Sequence, residues 1–75
     1  MIAAPLECRI LTALTLAPMC VFELARALSS DHRSVRARID YLRSTLEVVP
    51  ANPGANVTKF TLTPKGLDWA QELMA

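Results

Sequence analysis

The chain has 75 residues, eight lysines and arginines against seven aspartates and glutamates, one histidine, and a formal net charge of +1. It is 52% hydrophobic and 20% charged, which excludes a disordered tail and points to one globular domain over residues 1–75, near the lower size at which a lone core holds. No apolar run approaches the ~20 residues that span a bilayer, and the start, Met1 to Arg9, lacks the basic flank and apolar stretch of a secretory leader. The expectation is a cytoplasmic protein with no membrane partner.

The first predicted element opens at Pro5, suited to a first helical turn, with Glu7 close behind where an acid favours a helix start. Leu6, Ile10, Ala13 and Leu14 recur at helical spacing, so helix 1 ends before Pro18. Met19 to Val21 is at most a short extended bridge. In the next segment Val21, Leu24, Ala25 and Leu28 form one apolar stripe, giving helix 2 about two turns. Ser30 or Asp31 can cap a third helix over about 31–45. Val35, Ile39 and Leu42 are its buried stripe. At ~100° per residue, Arg33, Arg36, Ala37 and Asp40 then face away from the core, and Arg38 and Arg43 take the flanks.

The period then changes. Leu46 to Pro50 is short and β-branched, and Asn56 to Thr63 alternates, with Thr58, Phe60 and Leu62 on one side and Val57, Lys59 and Thr61 on the other. Turn residues separate them, so residues 46–63 read as a hairpin with a loose tip. Thr63 and Pro64 make a cap and a first-turn proline for helix 4, with Leu67, Ala70 and Met74 along one side. The fold class is α+β, mostly α.

Catalysis finds little support. There is one histidine, no glycine-rich phosphate loop, and the acids are scattered. Cys8 and Cys20 are too few for a disulfide framework, and with His32 they fit no metal-ligand spacing, so they read as buried thiols. No cofactor, metal or small-molecule ligand is called for.

The segment from Glu23 to Leu42, with Glu23-Leu24-Ala25, Leu28, Ser34-Val35, Ile39 and Leu42, resembles the helix-turn-helix of bacterial transcriptional regulators. The segment Phe60 to Gly66 is similar to the end of the wing and start of the last helix in MarR-like and PadR-like proteins. The resemblance covers roughly residues 20–70. It implies a winged helix-turn-helix that binds double-stranded DNA, with helix 3 in the major groove and the hairpin on the flanking backbone. It departs from the family after helix 3, where a glycine is usual and Ser44-Thr45-Leu46 stand here, and at the wing tip, where Lys59 is the only cation.

Charge placement is consistent with that implication. Residues 26–43 carry five arginines against two aspartates, a local +3, and the remainder sums to −2. Local positive potential is what phosphate contact requires. The expected DNA-binding residues are Ser30, His32, Arg33, Ser34, Arg36, Ala37, Arg43 and Lys59. His32, Arg33 and Arg36 stand where the second helix of such motifs meets base edges, and arginine grips guanine with two bonds. Arg38 is expected to serve structure, and Asp40 to pair with Arg36 one turn before it. Helices 1 and 4 are very apolar, so a homodimer is expected, with Leu11, Trp69 and Leu73 at its interface. Two other readings are a winged-helix protein-interaction module and an accessory protein of replication or segregation.

Overall fold

The computed structural model describes residues 5–75. The element order is α1 (Leu6–Leu14), α2 (Val21–Ala27), α3 (His32–Ser44), β1 (Val48–Pro50), β2 (Phe60–Leu62) and α4 (Pro64–Met74). The apolar stripes of α1, α2 and α3 meet at the centre, joined in α1 by Leu11, which the spacing had left off its stripe. Ile10, Leu11 and Leu14 of α1 pack with Val21 and Leu24 of α2 and with Val35, Ile39 and Leu42 of α3. Val48 and Phe60 of the hairpin and Ala70 of α4 close the cluster.

Local chemistry sets the helix boundaries. Asp31 caps α3, its carboxylate accepting the Ser34 N–H at 3.1 Å, so Asp31 rather than Ser30 is the cap. Thr63 caps α4 and Pro64 follows in its first turn. The cap of α2 is less usual. Cys20 accepts the Glu23 N–H on its sulfur at 3.5 Å, and the Glu23 carboxylate accepts the Cys20 N–H at 3.0 Å, a reciprocal box.

Helices α2 and α3 end alike. Ser29 and Leu46 both take the left-handed conformation, with φ of 50° and 67°. After α2, the Ser30 N–H reaches the Ala25 carbonyl at 2.9 Å; after α3, the Glu47 N–H reaches the Leu42 carbonyl at 2.9 Å. These are the long hydrogen bonds of a Schellman ending, normally carried by glycine. Leu46 thus takes, in the turn after α3, a conformation that glycine adopts most readily.

The strands are shorter than the alternation implied. β1 and β2 pair antiparallel, Val48 with Leu62, Val49 with Thr61 and Pro50 with Phe60. Pro50 has no N–H to donate, and beyond it only the Ala51 N–H to the Lys59 carbonyl, at 2.8 Å, continues the ladder. Asn52 then takes over with its side chain, donating to the Val57 carbonyl and accepting the Lys59 N–H. Thr58, read from the alternation as part of the strand, lies outside it and is exposed. On the other edge of β2, Met19 and Phe60 exchange both backbone hydrogen bonds, at 2.8 and 3.1 Å. The extended bridge before α2 is therefore real, and it ties the wing to the start of the helix-turn-helix.

α4 packs chiefly on α1. Its buried positions are Gly66 and Ala70; of the side Leu67, Ala70 and Met74 read from spacing, Ala70 is covered while Leu67 and Met74 are exposed. Small residues are what let this helix approach closely.

Candidate nucleic-acid interface

The buried stripe of α3 forces its other side outward. Val35, Ile39 and Leu42 are fully buried, and Arg33, Arg36, Ala37 and Asp40 are all exposed. The wing faces this ridge across a groove of about 300 Å³ lined by Phe22, His32, Arg36, Arg43 and the wing residues Asn56 to Thr58. One side of the groove is therefore helical and cationic, the other a polar loop.

Each cation is held differently. Arg36 Nε lies 3.7 Å from Asp40 Oδ1, the pair expected from spacing, with both side chains more than half exposed. Such an i,i+4 pair is worth only about 0.3–0.5 kcal/mol, so a phosphate or a base edge can displace it. Arg43 sits with its guanidinium carbon 5.7 Å from the centre of the Phe60 ring, a cation–π contact that aims it at the wing. Arg33 makes no ion pair among the described residues. Arg38 pairs with Glu7 of α1 at 3.3 Å, which fits its structural assignment. His32, in the first turn of α3, packs edge-on against Phe22 with ring centres 4.9 Å apart.

The remaining expected residues have local duties. The Ser30 hydroxyl donates to the Leu28 carbonyl at 3.2 Å. Ser34 spends its N–H on Asp31, and its hydroxyl lies 3.4 Å from the same carboxylate. Lys59 reaches Glu23 at 3.6 Å, pinning the wing to the start of α2. Glu23 therefore has two roles, and its carboxyl titrates below the usual range: first through the hydrogen bonds with Cys20, then through the nearby Lys59 ammonium. Among the described residues Arg26 has no ion-pair partner; the Glu23 carboxylate one turn before it serves the α2 cap and Lys59.

One residue changes assignment and another enters without one. Leu11, expected at a dimer interface, is fully buried in the core and has no surface to present. Phe22 was not singled out from sequence, although it falls off the Val21–Leu28 stripe; it is 74% exposed at the mouth of the groove. Trp69 and Leu73 do lie at the surface of α4, and Trp69 shares a second groove with Pro5, Cys8 and Tyr41 on the side of α1. Among the described residues no group of three metal-ligating side chains comes together, and no helix is long and apolar enough to cross a membrane.

No protein-family profile matches the chain, and no curated protein sequence does. Solved structures do. The adhesin competence repressor AdcR of Streptococcus pyogenes superposes with a TM-score of 0.87 at 25% identity, over 95% of this chain and 55% of that one. ZitR of Lactococcus lactis, solved in complex with DNA, gives 0.82 at 18% identity over 97% and 52%. The multiple antibiotic-resistance repressor MarR of Listeria monocytogenes gives 0.81 at 21% over 92% and 49%. The chain thus has the winged helix-turn-helix fold of MarR-type transcriptional regulators, and it spans about half the length of the regulators it matches.

Proposed function

We propose that this chain is the DNA-binding unit of a transcriptional regulator, a binding domain without catalytic activity. α3 enters the major groove, Arg33 and Arg36 meet base edges, and Arg43 and the wing contact the flanking backbone. The observation that carries this reading is the groove itself: a ridge held outward by a fully buried stripe faces a wing that the Met19–Phe60 bridge and the Lys59–Glu23 pair fix to the same frame. Two copies joined through the exposed side of α4 present two ridges to a pseudo-palindromic site, with half-sites about one helical turn apart.

The test is a gel-shift titration at two salt concentrations on fragments selected from random duplexes. Arg36→Ala is expected to lose roughly 1–3 kcal/mol of specific binding and to relax the preference at one position. Lys59→Ala is expected to weaken all sequences alike and to lower the salt slope by about one or less. Equal, sequence-blind losses for the two variants refute base reading by Arg36.

A further inference from the structure

Phe22 is a large apolar side chain placed where burial cannot explain it. The neighbouring Val21 and Leu24 fill the core, whereas Phe22 stands 74% exposed in the first turn of α2. Its ring has one aromatic partner, His32, itself exposed in the first turn of α3. The T-shaped contact, with planes at 63°, fixes the ring's direction without covering it. Phe22 also lines the same groove as Arg36 and Arg43. An exposed apolar face inside a cationic groove suits a partner that is mostly anionic but has an apolar point in its own groove. Duplex DNA has one such point on its major-groove edges, the C5-methyl of thymine, and a phenylalanine ring is a recognised contact for it.

We propose that Phe22 is a specificity-determining residue that reads a thymine methyl group, with His32 positioning its ring, so that the reading surface spans the first turns of both α2 and α3. The inference rests on the DNA-binding reading and deepens it. The preferred half-site then contains a thymine near the base met by Arg36, and the pairing of an apolar reader with a cationic one fixes the order of the two.

Deoxyuridine differs from thymidine by that methyl alone, which makes the test direct. Duplexes enriched by the wild-type protein from a random pool are resynthesised with each thymine replaced in turn by deoxyuridine. Affinities are measured by fluorescence anisotropy for the wild type, Phe22→Ala and Phe22→Leu. One position per half-site is expected to lose about fourfold in the wild type, the equivalent of roughly 0.8 kcal/mol for one methyl withdrawn from water. At that position Phe22→Ala is expected to bind thymine and uracil duplexes equally, and Phe22→Leu to keep part of the difference. Because the side chain is mostly exposed, the melting temperature of Phe22→Ala should stay near that of the wild type, which separates contact from folding. Uracil-indifferent binding at every position, or a Phe22→Ala loss that is uniform across sequences, overturns the proposal while leaving DNA binding intact. Failure of any duplex to be enriched overturns the DNA-binding reading, and this inference with it.

Discussion

Replacing Gly66 by alanine tests how the wing is anchored. In an open helix this change gains about 1 kcal/mol, because alanine is the better helix former. Here the added Cβ would overlap the Glu47 carbonyl oxygen and lie 2.9 Å from the Glu47 carbonyl carbon. Both sides of that contact are backbone, so no flexible side chain can yield. Relief requires α4 to withdraw from the start of β1. Overpacking of this kind costs ~1–3 kcal/mol. Withdrawal also strains two hydrogen bonds donated by Thr63, its N–H to the Glu47 carbonyl at 2.9 Å and its hydroxyl to the Leu46 carbonyl. At about 1 kcal/mol each, and after the helix-propensity gain, the net expectation is a loss of roughly 2–4 kcal/mol. Urea unfolding followed by circular dichroism measures it, with an unchanged m-value showing that the shift is in stability. A Gly66→Ala protein as stable as the wild type, or more so, refutes the close approach of α4 to the hairpin and the placement of the wing that depends on it.

Ser29→Gly should relieve the left-handed strain after α2, less the extra chain entropy of glycine, for a gain of about 0.5 kcal/mol and a melting temperature ~2–4 °C higher; a lower one contradicts the Schellman ending. Glu23 titrates below the usual range in the folded state, so its stabilisation is present above the ordinary glutamate pKa and fades as pH falls through the lowered one. Glu23→Gln is therefore expected to be less stable than the wild type at neutral pH, with the gap closing in acid; a gap independent of pH refutes the charged cap. If two copies join through α4, Trp69→Glu with Leu73→Glu should leave a folded monomer in sedimentation equilibrium at concentrations where the wild type is dimeric, and a monomeric wild type refutes the pairing.

The helices were legible because their cores obey a single period. Val35, Ile39 and Leu42 are apolar at helical spacing, and the outward placement of Arg33 and Arg36 follows from that alone. Asp31 and Thr63 announced two of the starts because their side chains are the usual caps. What escaped notice was carried by residues outside their common roles. Cys20 caps a helix, Leu46 and Ser29 take a glycine's conformation, and Asn52 replaces ladder hydrogen bonds after Pro50. Leu11 was misplaced because a periodic stripe assumes one covered face. α1 is covered by both α3 and α4, so Ile10 and the adjacent Leu11 are buried together. At the interface, spacing located the arginines of one helix. It could not bring Phe22, His32 and the wing to one groove, because that juxtaposition depends on the turn at Ser29 and the bridge at Met19.

The ion pairs bear on how strongly one copy can bind. Arg36, Arg38, Lys59 and Lys65 each face a carboxylate within 4 Å, on Asp40, Glu7, Glu23 and Glu47. A phosphate must displace those acids before it gains the cation, so these side chains return less than their charge suggests. Among the described residues Arg9, Arg26, Arg33 and Arg43 have no acidic partner; Arg9 spends its guanidinium on the Leu28 carbonyl at 2.6 Å, which leaves Arg26, Arg33 and Arg43 as the cations free to meet a duplex. Each phosphate neutralised contributes about −0.9 to the slope of log affinity against log salt. With Arg33 at a base edge, phosphate contacts by Arg26 and Arg43 give a slope of about −1.8 per copy, to which Lys59 adds up to about −0.9 once it leaves Glu23. On the DNA-binding reading, affinity adequate for regulation then requires either two copies on one site or strong base reading by Arg36. Base reading by Arg36 requires its exposed pair with Asp40 to open, at a cost of only about 0.3–0.5 kcal/mol, well below the ~1–3 kcal/mol that a bidentate contact to guanine returns.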